Sequence, residues 1–511
     1  MITGEIKNKV NAIWDDFYNE NYAQPSEIVS QLTFLMFLKM LDDKQNALEA
    51  RAAAIGQKPN QKDLYFKDGD YINEAEGIRI PYENLRWKNF CHLNGDDMSK
   101  LLKNYAQFFL KDENNSSIGD FPKFAKKFSF GLDTKRRLLT SVVDKLSDPV
   151  FDFTKLDIMG DVYEYMCGSG VSGQFRTPRH IIDLAIEMMK PRIGQKIIDP
   201  AMGTAGFLVE SARYIEDKQK AELLNVNNRK VFSEEMFYGC DNDDNMAMIG
   251  YMNNILHNVK KPTITTNSLL EKNNSNGYIG KFDLVLANPP FSGKLVTSAT
   301  DGALLTITNC KNTELLFVAL MSRLLKIGGK CMSVVPDGVL FGTDKAHKNL
   351  RIHLLDKMKL IAVISMPQGI FQAPSKKGSA NKGTSVKTSF IVFENTGCGG
   401  TDKVWFYDMR NDGYSLGAKR TPIEENDIPD IINRFNNLQL ESNRKRNDQS
   451  FMVDVDEIRK HGYDLLITTY KAKVIRSKNI RPVSEIMADI NENQKAINNL
   501  MAEINESLKG Q

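Results

Sequence analysis

Four consecutive residues, Asn288-Pro289-Pro290-Phe291, follow directly on an apolar run from Phe282 to Ala287. Two prolines in a row stop a strand and hold the backbone extended. Pro289 has no N–H, but its carbonyl remains an acceptor, and the Asn288 side-chain oxygen is a second acceptor. Two acceptors held side by side suit an amino group with two N–H donors. Holding both protons tilts the nitrogen toward tetrahedral geometry and frees its lone pair for attack. Phe291 offers an aromatic face on which a flat base can stack. Asn-Pro also starts ordinary turns. A position at the carboxyl end of a buried strand favours the ligand reading. The motif points to group transfer onto a planar amino group: a nucleobase amine in DNA or RNA, or a glutamine amide.

Three further stretches could serve the same reaction. Asp199-Pro200-Ala201-Met202-Gly203-Thr204-Ala205-Gly206-Phe207 follows an apolar run and leads into the helical pattern Phe207 to Ala212. Glycines at such a turn let the backbone pass close to a ligand. It is not the phosphate-cradling GxxxxGK[ST] loop, which is absent from the chain. Asp241 ends the next strand-like run, where an acid commonly accepts from ribose hydroxyls. The run Asp241 to Asp244 would equally suit a helix N-cap. Gly173-Gln174-Phe175-Arg176-Thr177-Pro178-Arg179 precedes a helix, and capping by Thr177 with Pro178 at the first position explains that pair fully.

Absences narrow the chemistry. Methylation at cytosine carbon needs a thiolate nucleophile, normally in a Pro-Cys pair. None of the six cysteines follows a proline, and no CxxC pair suggests a zinc site or a disulfide framework. Transfer to an amino nitrogen needs no covalent enzyme intermediate. No metal site is expected.

The elements must bring these stretches together. From about 155 to 400, short Ile- and Val-rich runs alternate with helical segments: Lys196–Asp199, Phe237–Asp241, Phe282–Asn288, Lys330–Pro336, Leu360–Ile364 and Thr388–Phe393, with helices such as Ile181–Met189 and Thr313–Leu325. That alternation predicts an α/β fold with a mostly parallel sheet covered on both faces. Ligands bind such sheets beyond the carboxyl ends of the strands. Before this region the chain reads as helical. Ile28, Leu32, Leu35, Met36 and Leu38 to Leu41 fall at helical spacing, and Ser26-Glu27 could open that helix. Strand-like alternation is scarce there. Pro374–Ser385 reads as a mobile loop. Ile486, Ile490, Asn493, Ile497, Leu500 and Ile504 alternate spacings of four and three, a heptad seam with one polar position. The expected division is 1–150, a helical N-terminal domain; 151–470, the catalytic domain; and 471–511, a helical C-terminal tail for subunit assembly.

Bulk properties agree. A chain of 511 residues, 41% hydrophobic and 26% charged, is ordinary for a soluble protein of two to four domains at about 100–200 residues each. No apolar run approaches the roughly 18–20 residues of a membrane span, and the N-terminus has no signal pattern. The expectation is a cytoplasmic protein with no membrane partner. A net charge of +3 points to a local patch or a partner as the source of attraction for phosphates. The basic runs Lys135-Arg136-Arg137 and Arg444-Lys445-Arg446 read first as solvated surface.

Taken in order, the motifs Gln174 to Arg179, Asp199 to Phe207, Asp241 and Asn288 to Phe291 resemble those of the modification subunits of type I restriction–modification systems. Gly160 to Tyr165 and Gly462 to Leu465 also resemble family segments, so the likeness runs over nearly the whole chain. It implies a Rossmann-like methyltransferase domain, S-adenosylmethionine as methyl donor, and adenine in duplex DNA as target. It implies cofactor contacts from Gln174, Phe175, Arg176, Thr177, Pro178 and Arg179, from Asp199, Gly203, Thr204, Ala205 and Gly206, and from Asp241. It places Asn288, Pro289, Pro290 and Phe291 at the transfer site. It implies a DNA specificity subunit bound by two copies of this chain, with a restriction subunit joining for cleavage. Three positions depart from the family pattern: Arg176 where an aromatic is usual, Met202 where Cys is usual, and Ala205 where Gly is usual.

Overall fold

The computed structural model describes residues 4–22, 25–61, 64–74, 77–104, 121, 130–151, 177–372, 385–416, 420–472 and 483–509. The chain forms two compact units, Met1–Tyr470 and Lys471–Gln511.

The first unit opens with helices α1 (Gly4–Asn19) and α2 (Pro25–Ala54), followed later by α3 (Arg136–Leu146). The α2 helix starts at Pro25, whose missing N–H costs nothing in a first turn. Every residue of α2 from Ile28 to Asp42 is buried. It is therefore a central helix wrapped on all sides, not the one-faced helix that Ile28, Leu32 and Leu35 alone suggest. Its polar residues are satisfied internally. Thr33 Oγ1 donates to the Val29 carbonyl at 2.6 Å, Gln31 Oε1 accepts from Gly131 N at 2.9 Å, and buried Asp42 pairs with Arg86. A short hairpin, Asp70–Asn73 with Ile78–Pro81, interrupts the helices. It was not expected, because four-residue strands hold too little alternation to register in sequence.

The sheet has nine strands: β1 (Ile197–Asp199), β2 (Phe237–Cys240), β3 (Thr263–Thr265), β4 (Phe282–Ala287), β5 (Leu325–Pro336), β6 (Lys359–Ser365), β7 (Thr388–Glu394), β8 (Lys403–Asp408) and β9 (Ser450–Asp454). Their spatial order is β9-β8-β6-β7-β5-β4-β1-β2-β3. Strands β1 to β5 run parallel to one another, and β8 runs parallel to β6. Only β7 and β9 are reversed. Strand β7 was grouped with a mostly parallel set, and its reversal was not foreseen. Apolar content reports that a strand is buried on both faces and carries no information about direction.

Helices α4 (Arg179–Met189), α5 (Gly206–Lys218), α6 (Asp244–Leu256) and α7 (Thr313–Leu324) cover the sheet. The α6 helix belongs to two environments. Met248, Ile249, Tyr251, Met252 and Ile255 pack in the same core as Phe37 and Leu41 of α2. Lys44 of α2 also donates to the Ile255 carbonyl at 3.0 Å, a cation placed on the negative end of the α6 dipole.

The order runs outward from β1 to β3 and then returns to place β4 on the other side of β1. The β1/β4 boundary is the topological switch point, where open α/β sheets form a crevice beyond the carboxyl ends of their strands. The second unit contains a single described helix, α8 (Val483–Lys509). Among the described residues no helix is long and apolar enough to cross a membrane, and no cluster of His, Cys, Asp or Glu could hold a metal ion.

Candidate active site at the switch point

Strand β1 ends at Asp199, where Pro200 halts it. Asp199 Oδ1 accepts from Ala201 N at 3.0 Å, and Met202 N donates to the Cys240 carbonyl at 2.9 Å. Gly203 N donates to Asp241 Oδ2 at 3.0 Å, so the turn after β1 is laced to the end of β2. Ala205 closes the turn at φ 65, ψ 29 and caps α5. This left-handed conformation costs an L-residue roughly 1–2 kcal/mol. A Gly at this position would adopt it without that cost. The cost is offset locally: Ala205 N donates to the Met202 carbonyl at 2.7 Å, and the side chain is fully buried. Gly206 serves close packing, since a Cβ there would lie 2.9 Å from Ile182 Cδ1 of α4. Met202 is accommodated by two other glycines: a Cβ at Gly239 or Gly250 would meet its Sδ at 2.2 Å or its Cε at 2.8 Å.

The two possible roles of the Asp241 run fall on different residues. Asp243 caps α6, accepting from Asn245 N and Met246 N. Asp241 accepts from Gly203 N and Asp243 N and faces the cleft. Burial pushes the Asp241 carboxyl up from its ordinary range. Asp199 is fully buried, and burial pushes it up to about 8, with the neighbouring Asp241 charge adding to the effect. These are two desolvated carboxyls at adjacent strand ends, and among the described residues no cation is paired with either. Hydroxyl donors or a positive charge on a ligand would be favoured there.

The α4 helix begins at Arg179. Pro178 (ψ 145) occupies the cap position and makes no side-chain cap hydrogen bond, which corrects the expectation that Thr177 caps this helix. The Pro178 carbonyl accepts from Ile181 N and Ile182 N, and the Thr177 side chain is left to line the cleft. The first turn of α4 is held on two sides. Arg179 pairs with buried Glu210 of α5 at 2.7 Å. His180 Nε2 meets Asp412 Oδ2 at 2.9 Å, and its ring lies against Tyr414 with centroids 4.5 Å apart.

On the other side of the switch point, Asn288 and Phe291 are half-buried, Pro289 is buried and Pro290 is exposed. The Phe291 ring meets Phe371 edge to face, with centroids 5.4 Å apart and planes at 81°. Phe371 lies beyond β6, and a lone Phe after a Gln-Gly-Ile stretch gave no sequence signal.

One cleft of about 610 Å³ joins these groups. Thr177, Arg179, Asp199, Gly203, Thr204, Gly206, Asp241, Asn288, Pro289, Pro290 and Phe291 all line it. Pro178 and Ala205 do not, because both are spent on building the turns. Gln174, Phe175 and Arg176 lie outside the described residues, as do Gly160 to Tyr165 and all of Pro374–Ser385 except Ser385. The cleft also takes in Ser268 and Leu270, Met246 and Asn253, and Lys294, Leu295, Thr313 and Phe317. Ser268 and Leu270 were missed with β3, a three-residue polar strand at the sheet edge.

The remaining sequence features are structural. Lys135 and Arg136 pair with Glu20 at 3.9 Å and Asp96 at 2.5 Å; Arg444 and Arg446 pair with Glu441 at 3.7 Å and Glu457 at 2.6 Å. Gly462 to Leu465 is stitched beneath the sheet. Arg351 Nε donates to the Tyr463 carbonyl at 2.6 Å, and Leu465 N donates to the Leu340 carbonyl at 3.0 Å.

The family model for N-6 DNA methylase matches residues 154–478, and that for the HsdM N-terminal domain matches residues 6–146. The chain is 25% identical over 448 residues to the type I restriction enzyme EcoEI methylase subunit of Escherichia coli, covering 86% of this chain and 84% of that protein. It is 31% identical over 283 residues to the StySPI methylase subunit of Salmonella potsdam, covering 53% of this chain and only 51% of that protein. Two solved structures share the fold. One is a modification subunit of a putative type I restriction enzyme from Vibrio vulnificus YJ016, with TM-score 0.63, 23% identity, and coverage of 89% of this chain and 92% of that one. The other is a type I restriction-modification methyltransferase subunit from Streptococcus thermophilus, with TM-score 0.67, 19% identity, and coverage of 91% and 100%. With the N-6 DNA methylase match spanning more than half of its length and the HsdM N-terminal match ahead of it, the chain belongs to the N-6 DNA methylase family, as an adenine-specific DNA methyltransferase subunit of a type I restriction–modification system.

Proposed function

We propose that this chain moves the methyl group of S-adenosylmethionine to the exocyclic amine of an adenine flipped out of duplex DNA. The observation that carries the reading is the single cleft joining the buried Asp199 and Asp241 to Asn288, Pro289 and Phe291 across the switch point. The residues on the Asp241 side suit the cofactor. Gly203 has open space where a Cβ would stand, and the Asp241 carboxyl faces the cleft, where it can accept hydrogen bonds from hydroxyls. When bound, S-adenosylmethionine supplies an electrophilic methyl on a sulfonium.

The chain's own part is orientation. Asp241 would hold the ribose hydroxyls, and Thr177 and Arg179 would close the near wall. A duplex buries the amine, so the base must leave the stack, at a cost of a few kcal/mol. The Asn288 side-chain oxygen and the Pro289 carbonyl would accept the two amine protons, and Phe291 would stack on the base while Phe371 braces Phe291. Held this way, the nitrogen lone pair would face the methyl that the bound cofactor supplies; the sulfur would keep the S–C electron pair as a neutral thioether, and the surplus amine proton would pass to water. Placement of this kind can supply much of the acceleration.

The same reading assigns partners. A DNA specificity subunit would choose the site, two copies of this chain would act with it, and a restriction subunit would join for cleavage, with methylation protecting host DNA. Purified protein with its specificity subunit, labelled cofactor and duplex DNA should give labelled adenine. Asn288→Ala should abolish transfer and leave the cofactor dissociation constant within about twofold. Label in RNA or protein but not DNA, or full activity of Asn288→Ala, would overturn the assignment.

A further inference from the structure

Beyond Phe291 the chain forms the outer rim of the cleft. Leu295 N donates to the Lys311 carbonyl at 2.9 Å, Thr313 N donates to the Gly293 carbonyl at 3.1 Å, and Lys294 bridges to Asn312. The backbone around Lys294 is thus fastened on both sides to the segment that opens α7. Lys294 lines the cleft, is solvent-exposed, and makes no hydrogen bond or ion pair among the described residues. By contrast, four cations of the conspicuous basic runs, Lys135, Arg136, Arg444 and Arg446, pair with acids of their own fold and do not line the cleft.

We propose that Lys294 is a phosphodiester-binding residue that grips the backbone of the flipped strand at the mouth of the cleft. The inference rests on the reading of Asn288 to Phe291 as the base site. A base seated there leaves its sugar and phosphates at the rim, in water, where an ammonium with no acid partner is the matching charge. Residues three apart span at most about 10 Å, comparable to the distance from a base's amino edge to its own phosphate. A fixed backbone removes part of the ordering cost of the contact. Lysine acts here as a point charge that reads no sequence, which suits a subunit whose site choice comes from elsewhere.

The test uses the protein assembled with its specificity subunit. Duplex affinity is measured from low to moderate salt, alongside cofactor affinity by calorimetry. Lys294→Gln should weaken DNA binding roughly twofold to fivefold at low salt and lower the salt slope by about 0.9, one phosphate contact. Lys294→Arg should restore both, and cofactor affinity should not change. Lys403→Gln, which removes a cation at the amino end of β8 away from the cleft edge, should leave the slope unchanged. An unchanged slope in Lys294→Gln, an equal change in Lys403→Gln, or a parallel loss of cofactor affinity would overturn the proposal. The two readings fail separately. If the base-site reading is wrong, Asn288→Ala stays active. If only this inference is wrong, Asn288→Ala is dead and Lys294→Gln binds DNA like the parent protein.

Discussion

At the scale of single residues, Asp199 shows how a motif position acquires its property from burial. In an unfolded chain its carboxyl loses a proton near 3.8; in the fold it keeps one up to about 8. Between those values the folded state holds a proton that the unfolded state lacks. Stability from this group is full below about pH 4 and falls as pH rises to about 8, at up to about 1.36 kcal/mol per pH unit. Asn at this position is neutral throughout and can still accept from Ala201 N. Asp199→Asn should therefore show a melting temperature that falls less than the parent's between pH 6 and 8, without cofactor. Parallel pH profiles for the two proteins would refute the assignment of that proton to Asp199. Ala205 makes a related point. Its departure from Gly is a strained turn held by its neighbours, and the turn still forms.

At the scale of elements, the site depends on the first turn of α4. Arg179 ties it to α5, and His180 ties it to Asp412, whose side chain is wholly buried. Burial by itself would push the Asp412 carboxyl up. The hydrogen bonds from His180 and Arg420 outweigh it and hold the group below the usual carboxylate range. A hydrogen bond to a charged group contributes about 1.5–3 kcal/mol. His180 does not line the cleft, yet it adjoins Arg179, which does. His180→Ala should raise the dissociation constant for S-adenosylmethionine several-fold and leave turnover at saturating cofactor near the parent value. His180→Gln, which can still donate to Asp412, should recover most of the affinity. Loss of turnover with unchanged affinity would contradict this positioning role.

At the scale of the whole molecule, two features extend the site outward. The α6 helix lines the Asp241 side of the cleft through Met246 and Asn253, while its other face sits in the core around α2. A change in the N-terminal helices thus has a direct mechanical route to the cleft. The α8 helix carries Ile486, Ile490, Ile497, Leu500 and Ile504 at 41% to 58% exposure, with Asn493 at the polar step. We propose that a seam this exposed on a 27-residue helix is a surface for a partner helix. Ile497→Asp combined with Leu500→Asp should abolish co-purification with the specificity subunit while cofactor binding is kept. Retained co-purification would show that the tail is not the assembly surface.

The amino-acid sequence by itself pointed to transfer onto a planar amino group, and the resemblance of its ordered motifs narrowed the target to adenine in DNA. Asn288-Pro289-Pro290-Phe291, the glycine turn after Asp199 and Asp241 are local constellations whose residue types state what they can bind. Periodicity also determined the α/β class, because the spacing of apolar residues follows from the geometry of each element. The tertiary structure alone decided the rest. The direction of β7 and the all-round burial of α2 depend on neighbours, and apolar content does not specify them. Phe371 reached Phe291, and Asp412 reached His180 beside the cleft, only when distant segments of the chain met. A contact across many residues of chain is set by strand order and packing, which no local spacing encodes.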